Sequence, residues 1–469
     1  MKFGTSGLRG LVSEMTDAVC AAHVAAFLRH LAATEGFDAV LVGRDLRPSS
    51  PRIAAACAAA IEAEGRVAID CGVLPTPALA LEAARRGLPA VMVSGSHIPF
   101  DRNGLKFYRA AGEITKADEA GILAALAPAS PAPPPAARIV ADDTALARYR
   151  ARSVDFFGPG PLAGRRIGVW QHSAAGRDLV VEILAALGAK PIALGRTDGF
   201  VPIDTEAVAP ADAARIADWV AEHRLDALVS TDGDGDRPLV ADEQGAVLRG
   251  DAVGVLTARV LGADAVATPL NATTAIERSG WFARVERTRI GSPFVIAALE
   301  RLAAAGATLP VGFEANGGFL LGGVATGAEG RTLAPLPTRD AMTPILALLA
   351  AAEAAGGPLS ALAATLPARA TASDRLQEVP EARSAPLLAA LAADAGARTA
   401  LLAGLAAPVA AVDTRDGVRM TLADGDIVHL RASGNAPELR VYTECATPEA
   451  AARLLAAVLA RAAERVAAP

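Results

Sequence analysis

The amino-acid sequence predicts an α/β protein with three similar α/β domains containing mixed sheets, followed by a smaller C-terminal α+β domain. Three stretches share one layout, in which a short apolar strand ends in a polar, Gly-containing loop: LPAVMVSGSHIPF, LDALVSTDGDGDR and LPVGFEANGGF. Each follows an Ala/Leu-rich segment with helical periodicity, and this succession is typical of βαβ units. Because ligands of such sheets bind beyond the carboxyl ends of the strands, we expect all three loops to be functional.

The chain of 469 residues is too long for one compact core. We place four domains at residues 1–150, 151–253, 254–368 and 369–469. The Pro/Ala-rich stretch 127–137 is predicted to be a surface connection near the end of the first domain. The fourth domain combines two Ala/Leu-rich helices with a hairpin that turns at Asp424–Gly425.

Composition narrows the class of protein. The net charge is −6 and no long basic run occurs, which argues against a nucleic-acid partner or an anionic membrane surface. The sequence shows no signal-peptide core and no uninterrupted apolar stretch of the ~18 residues that span a bilayer. Four scattered cysteines, Cys20, Cys57, Cys71 and Cys445, are predicted to be free buried thiols. We expect a cytoplasmic protein.

The DGDGDR loop gives the strongest single signal. Asp232, Asp234 and Asp236 alternate with glycine, so one tight loop can direct three carboxylates at one hard cation, and Arg237 adds a positive charge beside it. A solvated acidic turn is the plain alternative. A Ca²⁺-binding EF-hand is another, with Glu243 at its twelfth position, but Arg237 occupies the sixth position, which requires glycine. Three aspartates that leave room for a phosphoryl oxygen favour Mg²⁺.

The SGSHIP loop contains Ser96 and His97, ten residues before Lys106. By itself it is more often a turn. No GxSxG elbow is present, and neighbouring residues rarely form a productive Ser–His pair, but a serine that carries phosphate needs no triad. His97 remains a catalytic candidate. Lys106 is a candidate to neutralise phosphate or, with a depressed pKa, to accept a proton from a sugar hydroxyl.

Two further loops and the N-terminus carry candidate ligand groups. The EANGG loop pairs Glu314 with Asn316, and Gly317 permits close backbone approach, which suits adjacent sugar hydroxyls as well as an ordinary polar turn. The RASGNAPELR loop is either a phosphate cradle or a charged hairpin end. Its candidate residues are Arg431, Ser433, Gly434, Asn435 and Arg440. Arg9, in FGTSGLRG, is a weaker candidate for a phosphate contact. HExxH, Walker A and GxGxxG motifs are absent from the sequence.

Five motifs in this order resemble the α-D-phosphohexomutase superfamily, in particular its phosphomannomutase/phosphoglucomutase group: FGTSGLRG, SGSHIPFDRNGLKFY, DGDGDRP, GFEANGG and RASGNAPELRVYTE. The resemblance implies a heart-shaped protein with the site in a central cleft. It implies that Ser96 is the phosphoserine and that its phosphate and the three aspartates hold Mg²⁺. It further implies that Glu314 and Asn316 contact the sugar, and that the RASGNAPELR loop holds the non-transferring phosphate. Arg9, Lys106 and Arg237 would surround the transferring group.

Two departures from the resemblance concern specificity. Many relatives have Ser-Gly-His after the sugar-loop glutamate, where this chain has Asn316-Gly317-Gly318. Many have Thr-Glu-Pro in the phosphate loop, where it has Asn435-Ala436-Pro437. The first removes a histidine that is an acid/base candidate.

The resulting hypothesis is a mutase that interconverts hexose 1-phosphate and hexose 6-phosphate. Phospho-Ser96 would give its phosphoryl group to the sugar, and a bound hexose 1,6-bisphosphate, which also serves as activator, would return the other one. Mannose is favoured over glucose, and glucosamine comes third. A Mg²⁺-dependent phosphatase with Asp232 as nucleophile and a sugar-phosphate or Ca²⁺ binder without catalysis are the rivals. Either a monomer or a homodimer is compatible with the sequence.

Overall fold

The computed structural model describes residues 2–4, 7–127, 139–434 and 437–467. Four large sheets follow one another along the described chain, three of them mixed and the last antiparallel. The α/β class, the three mixed sheets and the smaller C-terminal α+β domain are as predicted. The predicted connection at 127–137 lies outside the described residues, apart from Ala127.

The first domain is built on a sheet of strand order β1-β2-β6-β5-β3-β4-β8, with β7 paired to β6. Its strands are β1 Lys2–Gly4, β2 Gly7–Leu11, β3 Ala39–Arg44, β4 Val67–Val73, β5 Ala90–Val93, β6 Arg102–Arg109, β7 Gly112–Glu113 and β8 Ile139–Ala141. Its helices are α1 Asp17–Ala32, α2 Ser50–Ala63, α3 Thr76–Arg86, α4 Lys116–Ala124 and α5 Thr144–Phe157. The boundary placed at residues 150–151 falls within α5.

The sheet of the first domain is buried on both faces, as the side chains of strand β3 show. Val40 and Val42 belong to the core formed with α1 and α2, whereas Ala39 and Leu41 belong to the core formed with α3. Helices cover both faces, so the strand is a continuous apolar run rather than an alternating one.

The second domain has the strand order β10-β9-β11-β12-β13. Its elements are β9 Arg166–Trp170, α6 Arg177–Ala186, β10 Lys190–Leu194, α7 Pro210–His223, β11 Ala227–Thr231, β12 Pro238–Ala241 and β13 Val247–Leu248.

The third domain has the strand order β15-β14-β16-β17-β20 and a separate ribbon of β18 and β19. Its helices are α8 Gly250–Val260, α9 Ala275–Ser279, α10 Ser292–Ala304, α11 Met342–Ala354 and α12 Leu359–Ala363, with a 3₁₀ turn at Ala328–Gly330. Its strands are β14 Ala265–Pro269, β15 Arg284–Thr288, β16 Pro310–Phe313, β17 Phe319–Leu321, β18 Ala325–Thr326, β19 Thr332–Leu333 and β20 Leu336–Asp340.

The fourth domain is an antiparallel sheet of order β21-β25-β24-β23-β22 with three helices. Its elements are β21 Ala370–Leu376, α13 Glu381–Ala393, α14 Ala395–Leu402, β22 Val409–Asp413, β23 Val418–Leu422, β24 Ile427–Ala432, β25 Leu439–Cys445 and α15 Pro448–Ala467. The turn between β23 and β24 contains Asp424 and Gly425, as predicted.

The three predicted functional loops occupy equivalent places in their sheets. Each leaves a strand that has a parallel neighbour and returns as an antiparallel strand: β5 to β6, β11 to β12 and β16 to β17. Each therefore lies at the carboxyl end of a central parallel strand, where ligands of such sheets bind.

The first three domains share one apolar core. Side chains such as Leu79, Ile183 and Ile345, from three different domains, belong to a single buried cluster. The fourth domain has its own core, formed by residues between 379 and 466. It meets the third domain through polar contacts, among them the Glu444 carboxylate, which accepts hydrogen bonds from Thr273 and Thr274.

Two smaller expectations are also answered. All four cysteines are buried and free, as predicted. Among the described helices none is by itself long and apolar enough to cross a bilayer. Helices α13 and α14 reach that length and apolar character only when counted together, and they meet at 109°.

Two buried histidines give the fold an acid-sensitive component. The His172 ring contacts the Thr231 carbonyl oxygen at 2.9 Å, and the His429 ring contacts the Asp416 carbonyl oxygen at 2.6 Å. Burial lowers the pKa of each from 6.5 to about 4. The unfolded chain takes up these protons below pH 6.5 and the folded chain does not, so stability is lost as the pH falls towards 4.

We expect each histidine to account for about 1–2 kcal/mol of lost unfolding free energy between pH 7 and pH 5. His429→Gln should therefore make the midpoint of thermal unfolding less dependent on pH over this range than it is for the native chain. The half-buried His223 provides the control as His223→Gln. An unchanged pH dependence in the His429 variant would contradict the assignment.

Candidate active site

Ser96 lies in the loop after β5 with its side chain directed at the second domain. Its hydroxyl donates a short hydrogen bond to Asp232 Oδ2, and His97 Nδ1 lies 3.3 Å from Ser96 Oγ. The backbone of Ser96 is left-handed (φ 53°), a conformation that is uncommon for non-glycine residues. Neighbouring residues rarely form a Ser–His pair, but this backbone conformation allows the contact.

A fully buried arginine holds this loop in shape. The Arg47 guanidinium donates to the carbonyl oxygens of Ser96, Ile98, Pro99 and Arg102 at 2.6–2.9 Å. Asp45 neutralises it through a 3.2 Å ion pair, and the Phe200 ring lies 4.0 Å from it. A Cβ at Gly95 would lie 2.7 Å from this guanidinium, so the loop requires glycine there.

The aspartate loop joins β11 to β12. Asp232, Asp234 and Asp236 are all buried, and one oxygen from each lies within 4.8 Å of the others. Gly235 has φ 71°, which permits the tight turn between the second and third carboxylates.

The donor set fits a hard divalent cation. Asp234 Oδ1 and Asp236 Oδ1 are buried without a hydrogen-bond partner. A buried carboxylate oxygen without a partner costs free energy unless a bound ion or hydrogen-bond donor satisfies it. Carboxylate oxygens are the ligands that hard cations prefer.

Basic side chains from three domains surround the aspartates. Lys106 Nζ, from the first domain, lies 2.6 Å from Asp234 and 2.7 Å from Asp236. Arg339, from the third domain, lies 2.7 Å from Asp236 and 2.9 Å from Glu314. Arg237 Nε lies 3.6 Å from Asp236 Oδ1.

These charges set the protonation of the site. Burial raises the pKa of Asp232 well above its usual value, and the neighbouring aspartates add to this. Burial, with Arg237 and Arg9, holds the pKa of His97 well below its usual value, so its ring is uncharged at neutral pH. Burial, with Arg237 and Arg339, also lowers the pKa of Arg9 to about 10, which still leaves Arg9 charged.

The expected depression of the Lys106 pKa is not found. Burial acts to lower the pKa of Lys106, but the charges of Asp234 and Asp236 outweigh it and raise the pKa above its usual value. Lys106 is therefore a charged donor in this arrangement, and the assignment of proton acceptor based on a depressed pKa is corrected.

The sugar-loop candidates lie at the end of β16. Glu314 is buried and paired with Arg339, and the Asn316 side-chain oxygen accepts a hydrogen bond from Gly318 N at 2.9 Å. Gly317 has φ 87°, so this turn requires glycine. Thr205, from the second domain, donates to the Asn316 carbonyl oxygen at 2.9 Å and fixes the loop from outside.

The phosphate-loop candidates lie between β24 and β25. Arg431 pairs with Asp416 at 2.9 Å, Arg440 pairs with Glu438 at 3.2 Å, and Ser433 N donates to the Glu438 carbonyl oxygen. A Cβ on Gly434 would meet no atom within 4 Å, so that side of the turn is open. Asn435 lies outside the described residues.

Three residues near the site were not predicted from the sequence. Arg47 follows β3 in the stretch AVLVGRDLR, which has the same strand-then-polar-loop layout as the other loops and could have been found that way. Arg339 lies in an ordinary strand sequence, LPTRD, whose proximity to the aspartates depends on strand pairing. Glu206, whose pKa is raised by burial, lies within electrostatic reach of both Arg237 and Arg440.

The EF-hand alternative is excluded by topology. The aspartate loop connects two antiparallel strands, and an EF-hand loop connects two helices. Glu243, which would complete the EF-hand, accepts hydrogen bonds from Ser360 in the third domain instead.

Comparison with known proteins identifies relatives over the full chain. Four family profiles match in order, described as phosphoglucomutase/phosphomannomutase alpha/beta/alpha domain I (residues 1–131), domain II (152–245), domain III (249–370) and the C-terminal domain (371–461). A phosphomannomutase from Salmonella muenchen is 44% identical over 98% of this chain and 95% of its own length. A phosphomannomutase from Sinorhizobium fredii is 45% identical over 98% of both chains.

More distant matches agree on the fold. A phosphoglucosamine mutase from Mycobacterium marinum is 30% identical over 97% of both chains. The crystal structure of a putative phosphomannomutase from Thermus thermophilus superposes with a TM-score of 0.75, covering 99% of this chain and 98% of that one at 23% identity.

We expect Arg47→Lys to destabilise the protein, because a lysine ammonium has only three donors for the four carbonyl oxygens and Asp45. Each lost hydrogen bond to a charged group is worth about 1.5–3 kcal/mol, so the melting temperature should fall by roughly 5 °C or more. Arg52→Lys is the control, since that side chain is 42% exposed. Equal melting temperatures for the two variants would contradict a special role for Arg47.

Proposed function

The chain belongs to the phosphoglucomutase/phosphomannomutase family and is a phosphosugar mutase, and we propose that it interconverts mannose 1-phosphate and mannose 6-phosphate through a phosphate carried on Ser96. The sugar is suggested by the phosphomannomutases at 44% and 45% identity, compared with 30% for a phosphoglucosamine mutase. Glucose phosphate, which differs in the direction of one hydroxyl, is the second candidate.

The contact between Ser96 and Asp232 carries the proposal. It joins a hydroxyl from the first domain to the aspartate cluster of the second. A phosphate on this oxygen would lie beside the three carboxylates and among the basic side chains of Arg9, Lys106 and Arg237. Phosphoryl transfer depends mainly on positioning and on neutralising oxygen charge, and these groups supply both.

The charges of the site support a metal and a phosphate together. The carboxylates of the three aspartates lie among the cationic side chains of Lys106, Arg237 and Arg339. A dianionic phosphate would add negative charge beside the aspartates, and a divalent cation held by them would offset it. Mg²⁺ held by Asp232, Asp234, Asp236 and the Ser96 phosphate would withdraw charge from the transferring oxygens.

In the first half-reaction the free sugar hydroxyl attacks the phosphorus, the bond from phosphorus to Ser96 Oγ breaks, and the proton that the sugar hydroxyl loses is balanced by the proton that Ser96 Oγ gains. Lys106, kept charged by its two aspartates, stabilises the transferring oxygens. The uncharged ring of His97, 3.3 Å from Ser96 Oγ, is the better-placed group to exchange a proton at that oxygen. The bound mannose 1,6-bisphosphate then turns, and its other phosphoryl group returns to Ser96.

The turning step needs a site that can hold either phosphate. Arg431, Ser433, Gly434, Asn435 and Arg440 are proposed to hold the phosphate that is not transferred. Their domain has its own core and meets the rest through polar contacts, which supports opening and closing as a unit. Released bisphosphate would leave Ser96 unphosphorylated, so added bisphosphate should act as an activator.

We expect Ser96→Ala to lower mutase activity by about a thousandfold or more, because the proposed reaction has no other carrier for the phosphoryl group. The coupled assay should use mannose 1-phosphate with Mg²⁺ and a trace of mannose 1,6-bisphosphate. Intact mass should show one phosphoryl group on the native chain and none on the variant. Ser13→Ala, at an exposed serine of the same domain, is the control.

A phosphatase with Asp232 as nucleophile would give the opposite pattern. It would release free phosphate, lose activity in Asp232→Asn and remain active in Ser96→Ala. That result would reject the proposed carrier.

The sugar is tested by comparing mannose 1-phosphate, glucose 1-phosphate and glucosamine 1-phosphate in the same assay. We expect kcat/KM to decrease in that order, with mannose and glucose within about 100-fold of each other, because one hydroxyl direction changes few contacts. A higher kcat/KM for glucosamine 1-phosphate than for both others would overturn the assignment of the sugar.

A further inference from the structure

We propose that Arg339 is a positioning residue that fixes the sugar-loop carboxylate of Glu314 against the aspartate loop, and that Gly318 is glycine to make room for it. The inference rests on the proposed role of Glu314 in binding the sugar. It assigns a function to a side chain of β20 that no sequence motif marks.

The guanidinium bridges two loops from different domains. Arg339 Nη1 donates to Glu314 Oε2 at 2.9 Å, while Nη2 and Nε donate to Asp236 Oδ2 at 2.7 and 3.2 Å. The side chain is only 3% exposed. Its planar fork can hold both carboxylates at a fixed separation, which the single ammonium of a lysine cannot do.

The strand that carries Arg339 is itself fixed on both sides. Thr338 donates to Glu113 of the first domain at 2.8 Å. The Asp340 carboxylate accepts hydrogen bonds from Tyr149, from Met342 N at 2.9 Å and from Thr343 at 2.6 Å. Arg339 is therefore presented from a rigid support.

Gly318 lies directly under the stem of Arg339. A Cβ at Gly318 would lie 2.6, 2.9 and 3.1 Å from Cδ, Cγ and Cβ of Arg339. Gly318 does not have positive φ, so its backbone conformation does not require glycine. Glycine is required here because there is no space for a side chain. The atoms that fill this space belong to the stem of Arg339, and they cannot move aside while the guanidinium keeps its hydrogen-bond partners.

This geometry permits a test in which the arginine is displaced without being removed. Gly318→Ala should push the stem of Arg339 away, leaving Glu314 unanchored. We expect Gly318→Ala and Arg339→Ala each to lower kcat/KM for mannose 1-phosphate about 10- to 100-fold, mainly through KM, because the sugar contact is what loses its position. Arg339→Lys should fall between these variants and the native chain.

The double variant gives the decisive result. If Gly318→Ala acts through Arg339, then Gly318→Ala in the Arg339→Ala background should have little further effect. Gly36→Ala is the matched control, since a Cβ there meets nothing within 4 Å and its φ is not positive. Native kinetics in Gly318→Ala, or effects of the two substitutions that multiply, would overturn the inference.

A binding measurement separates this inference from the proposed reaction. Calorimetric titration of mannose 1-phosphate into metal-free Ser96→Ala, with and without Gly318→Ala, requires no turnover and no metal. We expect binding to weaken about 10-fold or more when Gly318→Ala is present, with the melting temperature within a few degrees of the control. Equal affinities would refute the positioning role even if the native enzyme proved to be an active mutase, and a loss would support it even if Ser96 proved not to carry phosphate.

Discussion

The arrangement of the first three domains depends on the ion pairs formed by the carboxylate of Asp236. One of its oxygens accepts hydrogen bonds from Lys106 of the first domain and from Arg339 of the third, and all three side chains are buried. Removing one partner from a buried ion pair leaves an uncompensated buried charge, which costs about 3–5 kcal/mol, so each of the three domains supplies a partner that the buried charges of the others require. The shared apolar core buries apolar surface between the domains, and this charged cluster fixes their relative position.

The fourth domain obeys a different rule. Its core is closed on itself, and its junction with the third domain includes hydrogen bonds from Thr273 and Thr274 to Glu444. Arg369, just before β21, pairs with the same carboxylate. Polar junctions of this kind allow relative motion more readily than shared apolar cores. Three domains hold the proposed reacting groups in one rigid arrangement, and the fourth carries the groups that we propose hold the other phosphate.

Loop positions could be predicted from the sequence, because a strand followed by a polar, Gly-containing turn has a fixed meaning in mixed sheets. Ser96 and the aspartates follow from that pattern, and the structure brings them together. Arg339 could not be predicted, since its place depends on the pairing of β20 with β17, from which the β18–β19 ribbon separates it along the chain. The raised pKa of Lys106 also required coordinates, because the balance between burial and two carboxylates is decided by distances of 2.6 and 2.7 Å.

The left-handed backbone at Ser96 has a consequence for which alcohol can occupy this position. A β-branched side chain is poorly tolerated at φ 53°, because its second branch meets the neighbouring backbone. Threonine, the other common aliphatic alcohol, is thereby disfavoured as a replacement, even though its hydroxyl has similar chemistry. The main chain selects a primary alcohol here before any question of reactivity arises.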